Sequence, residues 1–261
     1  MAQADLHAAV LDWYGRVARD LPWRRTRDPY AILVSEVMLQ QTQVARVVPR
    51  YEAWLDRWPD DASLAAAPTA EVLAAWVGLG YNSRALRLQE ACRVVARDGW
   101  PRTAAGLRAL PGVGPYTAAA VASFAFGEQV AAVDTNVRRV AQRLGRGEPE
   151  ALLPPGRAAD WNQAMMELGA TVCRARDAAC DGCPVAERCA SAGRVQIAPR
   201  ARGGTRERFE DTNRWARGRI VEALAAGGPL PAMDPERLRR ALDGLVRDGL
   251  VVRDGDDVRL P

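Results

Sequence analysis

Four cysteines crowd into one stretch of seventeen residues: Cys173, Cys180, Cys183 and Cys189, with six, two and five residues between successive members. Short arcs with proline and charged residues between the thiols would let one loop wrap a bound body. No run approaches the ~18 apolar residues of a membrane span. The first residues, Met-Ala-Gln-Ala-Asp, lack the basic-then-apolar pattern of a secretory leader. A soluble, cytoplasmic, bacterial protein without membrane contact is expected, and there grouped thiols read as metal ligands before they read as disulfides. A zinc site usually joins two Cys-x-x-Cys pairs, but only Cys180 and Cys183 form one. The spacing therefore favours a four-thiolate iron–sulfur cluster, with bare structural thiols as the alternative. Cys92 stands apart on an amphipathic segment and reads as a buried thiol.

The rest of the pattern is helical. Leu6, Val10, Trp13, Tyr14 and Val17 recur at helical spacing, and further helices are predicted over 30–48, 51–58, 83–97, 104–110, 115–126, 135–144 and 157–172. No strand alternation precedes residue 200, so the fold class is all-α. With 261 residues, 48% of them apolar, there is room for one large domain or two modest ones. An Arg/Gly/Pro-rich linker is expected over 191–208. Beyond it, 209–261 predicts a small α+β module: helices at 215–225 and 235–247, then a short hairpin, an order compatible with a winged helix.

Net charge is +4 and the isoelectric point about 9.0, compatible with a nucleic-acid partner without requiring one. Lysine is absent; every basic side chain except His7 is arginine, so the chain offers bidentate phosphate contacts but no side-chain amine nucleophile. Gly112-Val113-Gly114, between two predicted helices, can turn backbone amides toward an anion, although alone it reads better as a tight turn. Glu36 lies in an apolar helical stretch. Facing inward it becomes a proton donor with a raised pKa, but the local pattern by itself favours a solvent-facing residue. Asp134, before Thr135-Asn136, reads first as a helix N-cap.

Taken together, Leu21-Pro22-Trp23-Arg24, Ser35 to Thr42, Gly78-Leu79-Gly80-Tyr81, Leu110 to Gly114, Val133 to Val137 and Asn162 to Ala170, ahead of the cysteines, resemble the helix–hairpin–helix DNA glycosylases. Within that superfamily the Glu36-Val37-Met38-Leu39-Gln40-Gln41-Thr42 block is similar to the adenine DNA glycosylases of the MutY type. The resemblance implies two helical lobes with DNA bent across the cleft between them. One lobe would hold 22–132 with the hairpin; the other would join 1–21 to 133–190 around a 4Fe-4S cluster that serves structure and DNA engagement.

It also implies site roles. Gln41 with Thr42 and Tyr81 would support the duplex beside an extruded adenine. Trp23, Arg24 and Glu167 would line the base pocket, and Gly112, Val113 and Gly114 would hold phosphate. Glu36 would protonate the leaving base and Asp134 would stabilise the cationic sugar, with Asn136 and Tyr116 orienting them or the water. The expected activity is removal of adenine opposite 8-oxoguanine or guanine by a monomer. It would lack lyase action, since Tyr116 stands where strand-cleaving relatives carry lysine. The alternatives are a thymine or uracil mismatch glycosylase on the same scaffold and a non-catalytic iron–sulfur DNA-binding protein. Two departures bear on the opposing-base preference: 209–261 replaces the pyrophosphohydrolase-like domain of longer relatives, and Asn82 follows Tyr81 where an aromatic is frequent.

Overall fold

The computed structural model describes residues 3–195, 207–255 and 257–261. The chain divides into two compact units, one of Met1–Glu36 with Trp100–Ala201, the other of Val37–Gly99 with Arg202–Pro261. Both are helical, as expected.

In the first unit, α1 (Gln3–Val17) turns Leu6, Val10 and Trp13 inward, and α2 (Pro29–Leu39) begins after a 3-10 turn at Pro22–Arg24. After the short α7 (Ala104–Leu107) and α8 (Pro115–Phe126), α9 (Thr135–Leu144) and α10 (Ala158–Thr171) complete the unit. Val137, Val140, Ala141 and Leu144 form one apolar stripe of α9, and they pack with Trp161, Met165 and Leu168 of α10 against α1. Cys173, Cys183 and Cys189 lie at the edge of this core.

The second unit contains α3 (Val44–Arg57), α4 (Asp61–Ala66), α5 (Thr69–Trp76) and α6 (Ser83–Asp98). Trp54 sets its ring edge-on to Trp58 and Trp76, at 4.7 and 5.4 Å between centroids. Gln89, 1% exposed, donates to the carbonyls of Leu64 and Ala67 at the end of α4 and accepts from Thr69 at the start of α5. Later in the chain come α11 (Asn213–Ala225), α12 (Pro235–Arg247) and an antiparallel pair, β1 (Val252–Asp254) with β2 (Asp257–Arg259). Helix α11 packs on α12 and on α5. The helix–helix–hairpin order follows the expectation for 209–261.

Two features differ from the sequence reading. Residues 30–58 do not break at Pro49: α2 ends at Leu39, and α3 runs through the proline to Arg57. Residues 22–36 and 100–132, expected in one lobe with 37–99, belong to the unit that carries the cysteines, where α8 packs against α10. The linker expected at 191–208 lies outside the described residues over 196–206. Among the described residues no helix is long and apolar enough to cross a membrane.

Candidate active site

Glu36 is 7% exposed, so the solvent-facing reading of its helix does not hold: α2 is apolar all round and has no polar face to offer it. Burial raises its pKa to about 7. A hydrogen bond from the Tyr116 phenol opposes that rise, the charge of Asp134 reinforces it, and Arg24 opposes it. A carboxyl so placed is substantially protonated at neutral pH. The Tyr116 hydroxyl is itself desolvated and lies beside both acids, which pushes its ionisation well above the ordinary phenol range. It stays a proton donor, with the Met166 sulfur 3.6 Å away.

Asp134 is the N-cap of α9, as its local sequence suggested: one oxygen accepts from the Val137 amide at 2.7 Å. The other accepts from Asn136 Nδ2 at 2.8 Å. Arg139 donates to Asn136 Oδ1 and to the carbonyls of Gly169 and Cys173. This corner depends on Gly169, where a Cβ would stand 2.7 Å from that of Asn136. Asn162, 1% exposed, fixes the approach to Asp134 by accepting from the Ala132 amide and donating to the Val130 carbonyl and the Ser123 hydroxyl.

Glu167 is nearly fully buried, with both oxygens engaged: Arg19 binds bidentately at 2.6 and 2.9 Å, and Arg24 at 2.7 Å. Burial alone would raise its pKa, but the two guanidiniums outweigh that and lower it. Arg24 also lies 5.5 Å from the centre of the Tyr14 ring, and Trp23 beside it is buried. Thus Arg24 bridges the anionic Glu167 and the neighbourhood of Glu36. The sequence reading missed Arg19 and Arg139, since no local pattern distinguishes them among so many arginines.

The hairpin joins α7 to α8 through Gly112, whose φ of +75° calls for glycine. Gly114 has an ordinary φ of −81° and caps α8 without any side-chain bond. A Cβ there would meet nothing within 4 Å, leaving the first-turn amides approachable. Val113 between them is buried.

The four clustered cysteines are partly buried neighbours: burial raises the Cys183 thiol, and Cys173, Cys189 and Cys180 each add to that rise. Arg143 fastens their loop, donating to Cys173 Sγ at 3.3 Å and to the carbonyls of residues 173–175, while its own carbonyl accepts from the Cys189 thiol. Cys92 is fully buried, as expected.

Gln41, Thr42 and Tyr81 belong to the second unit, where they line one cleft of about 800 Å³ with residues of α11. Gln41 (φ 56°) and Tyr81 (φ 48°) are the two non-glycine residues in the left-handed region among those described. Arg84, 8% exposed, ties their turns together by donating to the carbonyls of Val37, Met38 and Gln40 on one side and of Leu79 and Gly80 on the other. Burial pulls its guanidinium down to about 10, so it stays charged at neutral pH.

Residues 34–152 match the family model described as "HhH-GPD superfamily base excision DNA repair protein". Over 276 residues the chain is 44% identical to the adenine DNA glycosylase of Mycolicibacterium smegmatis, covering 95% of this chain and 92% of that protein. It is 45% identical to the adenine DNA glycosylase of Homo sapiens over 215 residues, 72% of this chain and 39% of that protein. Among solved structures, a thermostable thymine-DNA glycosylase matches with a TM-score of 0.68 at 31% identity, covering 74% of this chain and 97% of that one. Endonuclease III in a non-covalent DNA complex matches over the same shares with a TM-score of 0.62 and 24% identity, a likeness of fold alone.

Proposed function

Since the chain belongs to the HhH-GPD superfamily of base excision DNA repair proteins, we propose that it is a monofunctional glycosylase excising adenine mispaired with 8-oxoguanine or guanine. The observation that carries this reading is the carboxyl pair: Glu36, buried and proton-bearing near neutrality, beside Asp134, whose ordered oxygens are held for an ionised role. Adenine leaves poorly as an anion. Glu36 donates its proton to the ring nitrogen on the major-groove edge, so that the base departs neutral. The Tyr116 phenol stabilises the carboxylate left on Glu36 by donating a hydrogen bond to it, and the Asp134 carboxylate stabilises the oxocarbenium-like sugar until water adds to its anomeric carbon. Asn136 holds Asp134 in place. Arg24 and Glu167, with buried Trp23, form the wall against which the extruded base is read, and Gln41 with Thr42 and Tyr81 supports the duplex it left. The amides of Gly112 and Gly114 hold a phosphate, whereas that of Val113, also expected there, is committed to the Leu110 carbonyl at 3.1 Å. The 43–45% identity to adenine DNA glycosylases supports the choice of base.

The test is base release from duplexes carrying adenine or thymine opposite 8-oxoguanine, guanine, cytosine or thymine. Adenine release opposite 8-oxoguanine and guanine is expected, lost in Glu36→Gln and Asp134→Asn while duplex binding persists. Thymine release from a thymine–guanine pair would replace this reading with the activity named for the thymine-DNA glycosylase relative, and binding without release of any base would leave a non-catalytic protein.

A 4Fe-4S cluster fits the donor set. Four thiols on one loop, partly buried and close enough that Cys173, Cys189 and Cys180 each act on Cys183, match the ligand number and type of a cubane. Cys173, Cys180, Cys183 and Cys189 would hold it. Its contribution when bound is to order the loop that Arg143 fastens and to help engage DNA, with no part in the bond-breaking step. Anaerobically purified protein should contain about four iron and four sulfide per chain; stoichiometric zinc without sulfide would refute the assignment. The helix–helix–hairpin order of 209–261 supports a winged-helix-like module.

A further inference from the structure

We propose that the C-terminal module takes part in excision through one positioning residue, Arg214 of α11, which fixes the Tyr81 side chain in the pose from which it enters the duplex. The inference rests on the proposed role of Tyr81 beside the extruded base. Tyr81 is 41% exposed, on a turn whose backbone is already in the left-handed region. Nothing in such a turn restrains a phenol ring, which would sample several rotamers in water. Arg214 supplies the restraint across 133 positions of sequence: its Nη1 donates to the Tyr81 hydroxyl at 2.7 Å, and its guanidinium carbon lies 4.9 Å from the ring centre. Phe209, 51% exposed, lies 5.1 Å from the same guanidinium. On the other part of the turn, Arg84 stands 5.7 Å from the Tyr81 ring while its hydrogen bonds fix the Gly80 carbonyl.

The contact between Arg214 and Tyr81 joins two exposed groups, a kind of bond that contributes little to folding. Its effect is on orientation: a ring held in one rotamer enters the base stack without first surrendering its rotational freedom. The other cleft arginines are committed elsewhere: Arg217 to Asp248, Arg219 to Glu222 and Arg46 to the Gly78 carbonyl. Arg214 is directed at the phenol.

The experiment uses the full chain with its cluster. It measures single-turnover excision, and it follows the fluorescence of 2-aminopurine placed next to the target adenine, which rises as the base unstacks. Arg214→Ala should lower both the excision rate and the extrusion signal about five- to tenfold, the net worth of one solvent-exposed hydrogen bond. Melting temperature should not move, and duplex affinity should stay within about twofold. Arg214→Lys should recover part of the loss. Tyr81→Phe should reproduce it, and the double variant should be no worse than either single one. Wild-type extrusion in Arg214→Ala, or weaker duplex affinity with normal extrusion, which marks an ordinary phosphate contact, would overturn the inference. Additive losses in the double variant would do the same. Tyr81→Ala separates the two levels: if it abolishes extrusion while Arg214→Ala does not, the role of Tyr81 stands and only the positioning inference falls.

Discussion

Glu36 serves the reaction and burdens the fold through the same burial. Its folded pKa of about 7 lies above the ordinary glutamate value of 4.5, so the folded protein binds its proton more tightly than the unfolded chain does. The resulting stability is fully present below about pH 4.5 and is lost as pH rises toward and through 7, up to about 3 kcal/mol from this one group. Glu36→Gln removes the titration while keeping the shape. Its melting temperature relative to the wild type should therefore be more favourable at pH 8 than at pH 5, and a parallel offset at the two pH values would contradict the assigned burial. Excision by the wild type should fall above about pH 7 as the donor form disappears, measured under single-turnover conditions. At this scale the sequence showed which residue types matter but not their surroundings. Asp134 announces its cap in the residues that follow it, whereas the burial of Glu36 and the claim of Arg19 on Glu167 depend on segments far away in the chain.

The elements were legible where the pattern is local. Helix α9 runs from Thr135 to Leu144 as its apolar stripe and Asp134 cap dictate, and α6 departs by one residue from its expected end. The break between α2 and α3 was not legible. Gln40-Gln41-Thr42-Gln43 contains neither glycine nor proline to announce a stop, and what stops α2 is the Arg84 guanidinium, which takes the carbonyls at its C-terminal end from more than forty residues away. Pro49, which suggested a break, lies in the second turn of α3, where the lost amide bond and the ring's crowding of the preceding turn do not end the helix. The contact between α9 and α10 gives the clearest prediction for an element. Gly169→Ala would place a methyl 2.7 Å from the Asn136 Cβ and 3.3 Å from its backbone. The helices must separate there, at a cost of about 1–3 kcal/mol. The displacement should carry Asn136 and Asp134 with it, so excision should fall further than the drop in melting temperature alone would explain. Unchanged excision with unchanged stability would show that the corner has slack.

For the whole molecule, the absence of lysine limits chemistry more firmly than any geometry. Strand cleavage through an imine needs an amine at the sugar, and a phenol at 116 or any of the chain's arginines cannot supply one. Borohydride added during turnover should trap no efficient covalent adduct, and the product strand should stay intact until treated with alkali. Trapping at the rate of base release would overturn the monofunctional assignment. The two left-handed turns at Gln41 and Tyr81 have a different kind of consequence. Each conformation costs a side-chain-bearing residue about 1–2 kcal/mol that glycine would be spared. Selection for folding alone would therefore drive both positions toward glycine, and a chain drifting free of its duty on DNA should lose these side chains early while gaining stability. Glycine at 41 and 81 in an otherwise similar sequence would be the mark of a retired glycosylase.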